Sequence, residues 1–197
     1  MQTPSHFLLT AVLARSTTHP FIQPIHKPAL LIGSVLPDIP FTLLTAAYGI
    51  YFRWFASPPI GGSLMEYLHF DLFYTDPVWI IGHNFFHSLV INAALLGLGL
   101  WGVRRWRWAR PLLWLGIGML FHTLIDVFTH HSDGPLLFFP LNWTYRFPSP
   151  VSYWEQDYYG RQFTVFEYAL NAAIIAYFVW LWFKKTSKTH DTSERVS

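Results

Sequence analysis

Long apolar runs, separated by short polar segments, divide the chain into four stretches that could each cross a lipid bilayer. A membrane-spanning helix needs about 20 predominantly apolar residues. Because lipid offers no partner to backbone N–H and C=O groups, such stretches must be helical. The pattern predicts an all-α, polytopic integral membrane helix bundle with about four transmembrane helices. They are expected at Pro28–Phe52, Val78–Val103, Pro111–Thr129 and Val165–Phe183.

The first stretch is interrupted by Leu36-Pro37-Asp38-Ile39-Pro40, where two prolines prevent a continuous helix. Irregular backbone at this depth is tolerated only where it is buried in protein or lines a wet cavity. We also expect a short N-terminal helix around Phe7–Ala14 and a short interfacial helix over Leu64–Tyr74. One membrane-embedded domain is expected over residues 1–188, followed by a polar, disordered tail over residues 189–197.

Basic residues predict the orientation of the bundle. The loop Arg104–Arg110 and the segment Lys184–Lys188 are rich in Lys and Arg, which are in excess in cytoplasmic loops. Two crossings separate these segments, so both can lie on the same side. We therefore predict a multi-pass protein of the inner (cytoplasmic) membrane, with the N- and C-termini in the cytoplasm.

Composition agrees with a membrane protein and narrows its chemistry. Hydrophobic residues make up 52% of the chain and charged residues 12%, about half the charged fraction of an average soluble domain. The net charge of +2 is too small to predict a nucleic-acid partner; the expected partner is membrane lipid. The chain has no cysteine, so a metal site would have to use His, Asp or Glu.

Candidate metal ligands lie in the outer half of the predicted spans. His122, Asp126 and His130 recur every four positions, which places them on one helix face, and Asp38 and His87 lie at similar depth. Two Asp residues at helix centres cost roughly 5–7 kcal/mol together. A structural zinc ion contributes on the order of 10–16 kcal/mol, which is enough to offset that cost. We predict a divalent metal, with zinc as first choice and manganese or iron as alternatives.

Simpler interpretations of these residues remain open. Asp38 is placed to cap the helix that restarts after the interruption, and His122 with Asp126 would serve as a polar pair between helices. Buried packing with a hydrogen bond, and no metal, is the simpler role for His83 and His69. Exposure to water is expected for the histidines in polar surroundings, His19, His26 and His190.

Four short motifs, in order, resemble those of the membrane-bound metal-dependent hydrolases. They are Ser5-His6-Phe7-Leu8-Leu9-Thr10, Gly33-Ser34-Val35-Leu36-Pro37-Asp38-Ile39, Phe86-His87-Ser88-Leu89 and His122-Thr123-Leu124-Ile125-Asp126. The later stretch Phe147–Trp154 resembles an uncharacterised inner-membrane subgroup of that family. The family is similar, more distantly, to the zinc-dependent phospholipase C proteins, which are α-helical and bind a zinc cluster.

The resemblance implies roles for individual residues. A first metal site would use Asp38, His87, His122 and Asp126, and His6 would join Asp126 at a second. A third would use His130 or His131, with Asp133 or Glu155 nearby. The chain departs from the family pattern at two positions, with Pro40 in place of a second Asp and His83 in place of an arginine. The missing arginine implies the loss of a phosphate-binding group and less efficient phosphodiester hydrolysis.

We interpret the chain as a metal-dependent hydrolase of a phosphoester, phospholipase C-like, acting on a phospholipid or another lipid-linked substrate. In this hypothesis Asp38 is the catalytic residue that orients the attacking water, while His87, His122 and Asp126 hold the metal. Two other classes stay open: a metal-ion transporter, because intramembrane His and Asp also mark ion pathways, and a catalytically silent membrane protein with a structural metal. The chain has no visible inverted repeat, which disfavours the transporter.

Overall fold

The computed structural model describes residues 1–16, 24–57 and 62–194, with side chains up to Lys185. Its α-helices in these ranges are α1 Thr3–Ser16, α2 Lys27–Gly33, α3 Ile39–Trp54, α4 Leu64–Glu66, α5 Phe73–Thr75, α6 Pro77–His87, α7 Leu89–Gly102, α8 Ala109–Thr129 and α9 Gly160–Glu194. A π-helical segment, Tyr67–Leu72, joins α4 to α5, and short 3-10 turns occur at Leu36–Asp38 and Gln156–Tyr158. The predicted all-α bundle is confirmed, including the helical segment near Leu64–Tyr74.

Within the described ranges, two single helices are long and apolar enough to cross a membrane: α8, and α9 from Gly160 to Lys185. Two bent helix pairs raise the number to four if each pair is one span. They are α2 with Leu36–Trp54, bent by 40°, and α6 with α7, bent by 44°. The predicted number of about four is therefore the upper value that length and composition allow.

The predicted interruption of the first span is confirmed. The backbone forms the 3-10 turn Leu36–Asp38 between α2 and α3. Pro37 and Pro40 each occupy the first turn of the element that follows them, where a missing N–H group is tolerated. This turn carries Asp38 into the interior at the bend.

The second span differs from the prediction, because one continuous helix over Val78–Val103 was expected and Ser88 divides it. Ser88 has extended backbone (φ −66°, ψ 128°). Its Oγ accepts hydrogen bonds from the N–H groups of Val90 and Ile91, which caps α7. The same hydroxyl donates to the carbonyl of Phe139 in the loop after α8, so the break is held from both sides.

Helix α8 is the centre of the bundle and packs along α2 and α7. Two glycines allow α2 to approach it closely. A methyl group at Gly118 would overlap the carbonyl oxygen of Leu30, and one at Gly33 would overlap that of Leu115. This close approach brings the backbone after α2 within hydrogen-bonding distance of the α8 side chains.

Helix α9 lies at the edge and packs against α1. Only 11% of its most apolar stretch is buried inside the protein. Its backbone remains helical to Glu194, within the segment where a disordered tail was expected. Residues 195–197 lie outside the described part, so the tail and the domain bounds stay predictions.

Candidate metal centre

Four side chains from three helical segments converge in the interior. Asp38 comes from the turn after α2, His87 from the last residue of α6, and His122 and Asp126 from one face of α8. Each offers a ligand atom, and these atoms all lie within 4.8 Å of one another. The side chain of Asp38 is 21% exposed, while that of Asp126 is 5% exposed and both imidazoles are fully buried.

Both carboxylates face the same two imidazoles. The Nε2 atom of His122 lies 2.9 Å from Oδ2 of Asp126 and 3.4 Å from Oδ1 of Asp38. The Nε2 atom of His87 lies 3.4 Å and 3.6 Å from the same two oxygens. The two Nε2 atoms are 3.1 Å apart. The structure thus brings the carboxylates of Asp38 and Asp126 to the same two imidazoles, as predicted. Metal ligation by these carboxylates stays a prediction.

The other nitrogen of each imidazole determines what its Nε2 can do. Nδ1 of His87 donates to the carbonyl of His83 (2.6 Å), and Nδ1 of His122 donates to the carbonyl of Ser34 (2.8 Å). A neutral imidazole that donates through Nδ1 presents Nε2 as an acceptor. With both imidazoles in this neutral form, four acceptors, two of them carboxylates, face one another, and a cation would satisfy all four.

The capping interpretation of Asp38 is wrong. Although Asp38 precedes α3, its side chain makes no capping hydrogen bond. Its Oδ1 faces the two imidazoles, and its Oδ2 accepts a hydrogen bond of 2.5 Å from Oγ1 of Thr3. The turn Leu36–Asp38 therefore places this carboxylate towards α1 and α8 instead of back onto its own helix.

His6 lies against the group from α1. Its ring stacks on that of His122 with centroids 3.7 Å apart. Its Nε2 is 2.9 Å from Oδ1 of Asp126, yet neither ring nitrogen makes a hydrogen bond to a described residue. Oδ1 of Asp126 also accepts from the amino group of Met1 at 3.1 Å. Asp126 thus turns one oxygen to His87 and His122 and the other to the N-terminal segment.

His130 borders the group and His131 does not. Nδ1 of His130 donates to the carbonyl of Asp126 at 3.1 Å and lies 3.6 Å from its Oδ1. Burial lowers the pKa of His130 to about 3, so this ring is neutral. Nδ1 of His131 donates to the carbonyl of Ser149 at 2.6 Å, and its ring stacks on Tyr158 at 3.4 Å.

The acidic residues suggested for a third site have other partners. Asp133 accepts a hydrogen bond from Nε1 of Trp154 (2.9 Å). Glu155 accepts from the N–H and Oγ of Ser132. The described residues therefore do not gather a third ligand group there.

The remaining histidines were expected either to pack with a hydrogen bond or to be exposed to water, and the structure agrees for only some of them. His69 makes the expected hydrogen bond, through Nδ1 to the carbonyl of Met65. His83 packs against Phe41, Phe73 and His87, but its ring nitrogens have no hydrogen-bond partner among the described residues. His26 is not merely solvated, since its Nδ1 accepts from the N–H of Ala29 and caps α2. The remaining two, His19 and the side chain of His190, lie outside the described part.

One buried acid near the site was missed. Glu167 in α9 is 1% exposed and accepts hydrogen bonds from the first residues of the chain, Gln2 and Ser5. The signal was available in the sequence: Glu167 is the single acidic residue of the predicted span Val165–Phe183, and a charge inside a span indicates a functional site by default.

A cavity of about 580 Å³ reaches the group and includes Asp38 and Asp126 in its lining. Among the described residues, neither a lysine nor an arginine lines it. Asp133 also lines the wall, and burial raises the pKa of its carboxyl to about 6. Most of the remaining wall is aromatic, with the rings of Phe41, Phe70, Phe73, Tyr74, Tyr153 and Trp154.

Comparison with known proteins identifies the family but not an activity. The family model described as "YdjM inner membrane protein" matches residues 1–188. No curated protein and no solved structure gives a match. The membrane character inferred from the apolar helices agrees with that description. Since the match spans nearly the whole chain, the protein belongs to the YdjM inner membrane protein family.

Proposed function

We propose that this protein is a metal-dependent membrane hydrolase that cleaves a phosphoester of a lipid or lipid-linked substrate. One observation carries the proposal: Asp38, His87, His122 and Asp126 present acceptor atoms to a common point, and two of them line a cavity large enough for a substrate head group. The reaction class rests on the resemblance of the four motifs to the metal-dependent hydrolases.

The donor set suits zinc. Zinc binds His nitrogen and carboxylate oxygen at about 2.0–2.2 Å, so neighbouring ligands of a tetrahedral site are about 3.3–3.6 Å apart. Five of the six separations between the ligand atoms run from 2.9 Å between His122 and Asp126 to 3.6 Å between His87 and Asp38, close to these edges, and all six lie within 4.8 Å. Manganese and ferrous iron accept the same donors and remain alternatives.

The residues would divide the work as follows. His87, His122 and Asp126 are buried and would hold the ion, which when bound supplies Lewis acidity and makes a water nucleophilic near neutral pH. Asp38 is more exposed and borders the cavity, so its carboxylate can accept a hydrogen bond from the attacking water and orient it. The donation from Thr3 keeps that carboxylate in place.

The cavity wall supports a lipid substrate. Its aromatic rings offer apolar contact to the part of a lipid near the head group. Since no Lys or Arg of the described chain lines the cavity, the charge of a phosphate would be met by the metal. This agrees with the absence of the family's arginine at His83.

We also propose that the C-terminus and the end of α1 at Arg15 are cytoplasmic. The predicted cytoplasmic position of Met1 does not fit, because its amino group lies at the opposite end of α1, where it donates to Asp126 and Thr129 near the end of α8. Arg15 at the end of α1 lies beside Lys184 and Lys185 of α9, around one small cavity, so these cations lie at the same end of the bundle. The positive-inside rule favours the cytoplasm for that end. Labelling single cysteines placed at Arg15 and at Met65 with an impermeant thiol reagent in intact cells tests this: only the second should react.

A structural metal site is the second candidate, because four protein ligands would complete the shell of zinc, as in structural sites. Catalysis requires one position to open to water, and the partly exposed Asp38 is the ligand able to do this. Metal transport stays an untested alternative.

The deciding experiment is hydrolysis of lipid phosphodiesters and phosphomonoesters by the purified, zinc-loaded protein. We expect turnover of at least one substrate, and a loss of at least a hundredfold in Asp38→Asn with the helical fold retained. Gln156→Ala, in the loop after α8, serves as a matched control. No turnover over a broad panel, with lower stability in Asp38→Asn than in wild type, would favour the structural site.

A further inference from the structure

A buried polar cluster joins α9 to the start of α1, inside an otherwise apolar span. Oε1 of Glu167 accepts from the backbone N–H of Gln2 at 2.8 Å and from Oγ of Ser5 at 2.5 Å. Nδ2 of Asn171, one helical turn further, donates to the same Ser5 hydroxyl at 2.8 Å. Glu167 and Ser5 are almost completely buried. The carboxylate therefore satisfies an N–H group at the beginning of α1 that no helical carbonyl can reach.

Two residues beside these contacts, Thr3 and His6, touch the metal centre. Thr3 donates to Oδ2 of Asp38. His6, next to Ser5, stacks on His122 and lies 2.9 Å from Oδ1 of Asp126. Both carboxylates of the centre are thus contacted by the same helical turn that Glu167 holds from the other side.

Apolar packing contributes little to the association of α9 with the other helices. Only 11% of its most apolar stretch is buried, and apolar surface gains nothing by leaving lipid for another helix. Hydrogen bonds between helices, by contrast, are among the interactions that drive helix association in a bilayer. A carboxylate inside a membrane span is energetically unfavourable. The hydrogen bonds that this one accepts from the first turn of α1 offset part of that cost.

We infer that Glu167 is a positioning residue of the metal centre: it holds the first turn of α1 so that Thr3 orients Asp38 and His6 stands against Asp126. This inference rests on the metal centre of the proposed function. It assigns Glu167 no contact with the substrate. Hydrogen bonding to Oε1, not the negative charge, is the property required.

The test compares three variants of the full chain. Glu167→Leu removes both acceptors and makes the span more apolar, so membrane insertion is favoured. Glu167→Gln keeps an amide oxygen as acceptor. The control is Phe166→Leu, whose side chain is 56% exposed on the outer face of α9.

Two readouts are measured. The first is the yield of cross-linking by a short bismaleimide between cysteines introduced at Gln2 and Tyr168, whose side chains meet at 3.3 Å in a chain that has no cysteine of its own. The second is zinc affinity by chelator competition, with the visible spectrum of the cobalt-loaded protein as a report on ligand geometry.

We expect Glu167→Leu to lower the cross-linking yield at least fivefold and zinc affinity at least tenfold, and to change the cobalt spectrum. Glu167→Gln should stay within threefold of wild type in both, and Phe166→Leu should match it. Wild-type values in Glu167→Leu would overturn the inference, as would lost cross-linking with unchanged zinc affinity, or a loss in Glu167→Gln equal to that in Glu167→Leu. If the wild-type chain binds none of zinc, manganese and ferrous iron, the proposed function fails. An unchanged cross-linking yield in Glu167→Leu then also overturns the contact between Glu167 and the first turn of α1, and a fivefold loss supports that contact.

Discussion

His87 and His122 direct their Nε2 atoms at each other across 3.1 Å, although each ring already donates its Nδ1 hydrogen to a backbone carbonyl. Two unprotonated nitrogens at this distance repel each other, two protonated ones repel more strongly, and only a single shared proton or a cation between them makes the contact attractive. The carboxylates of Asp38 and Asp126 face the same point. A shared cation relieves all of these repulsions, and the first two predictions follow from it.

The purified protein should carry zinc or another divalent metal near one equivalent per chain. His122→Ala should retain less than a tenth of it, because that variant removes the ligand closest to both carboxylates. His131→Ala is the matched control, since His131 bonds to Ser149 and lies outside the group. Elemental analysis of the three proteins decides the matter, and equal metal in wild type and His122→Ala would contradict it.

Chelation should lower thermal stability. Without the cation, buried acceptors face one another unpaired, which costs at least about 2 kcal/mol, or roughly 4–8 °C in Tm for a chain of this size. Thermal unfolding in detergent, with and without a chelator, measures the shift. His122→Ala should show no shift; a shift of the same size in that variant would mean that the chelator acts elsewhere.

Gly118→Ala should destabilise the bundle by about 2–3 kcal/mol, because the added methyl would overlap the backbone of α2 at Leu30 and force α2 and α8 apart. Gly97→Ala is the control, since nothing lies within 4 Å of the added group. It should be neutral or stabilise by about 0.5–1 kcal/mol, as Ala does for Gly in a helix. Chemical denaturation of both variants in detergent gives the comparison, and equal effects would contradict the close approach.

Asp133→Asn should stabilise the protein above pH 6. Burial raises the pKa of Asp133 from its ordinary value of 3.8 to about 6, so the folded state holds this proton more tightly than the unfolded state. The resulting stability is complete below about pH 4 and is lost as pH rises through about 6. The loss is on the order of 1–2 kcal/mol after screening.

Asn keeps an oxygen for the hydrogen bond from Trp154 and carries no charge to bury. Tm measured from pH 4 to pH 8 should therefore fall less in Asp133→Asn than in wild type over the range from 4 to 6. Parallel curves would show that the carboxyl of Asp133 is not desolvated.

Much of the fold could be predicted because lipid permits few solutions. Apolar length alone predicts the helices of α3, α8 and α9, and the two prolines predict the turn at Asp38. The break at Ser88 was not predicted, because its neighbours are apolar on both sides. In the sequence a serine cap is marked by one residue only. The Ser88 hydroxyl also donates to the carbonyl of Phe139, which lies in a loop far along the chain.

The candidate site, too, could be predicted in part. Spacing of four along α8 places His122 and Asp126 on one face whatever the tertiary structure does, and depth in the bilayer associates them with Asp38 and His87. Depth says nothing about rotation of a helix about its axis. It therefore could not separate His130, which borders Asp126, from His131, which turns to Ser149.

By itself, the sequence determined that the chain is helical, where it is apolar enough to span, and which acids and histidines are too expensive in lipid to be there without a partner. Only the tertiary structure decided which residues are the partners of these acids and histidines. The approach of α2 to α8 at two glycines, the bend at Ser88 and the docking of α1 through Glu167 are contacts between segments far apart in the chain. Their geometry depends on how whole helices pack, and no local pattern of residues encodes it.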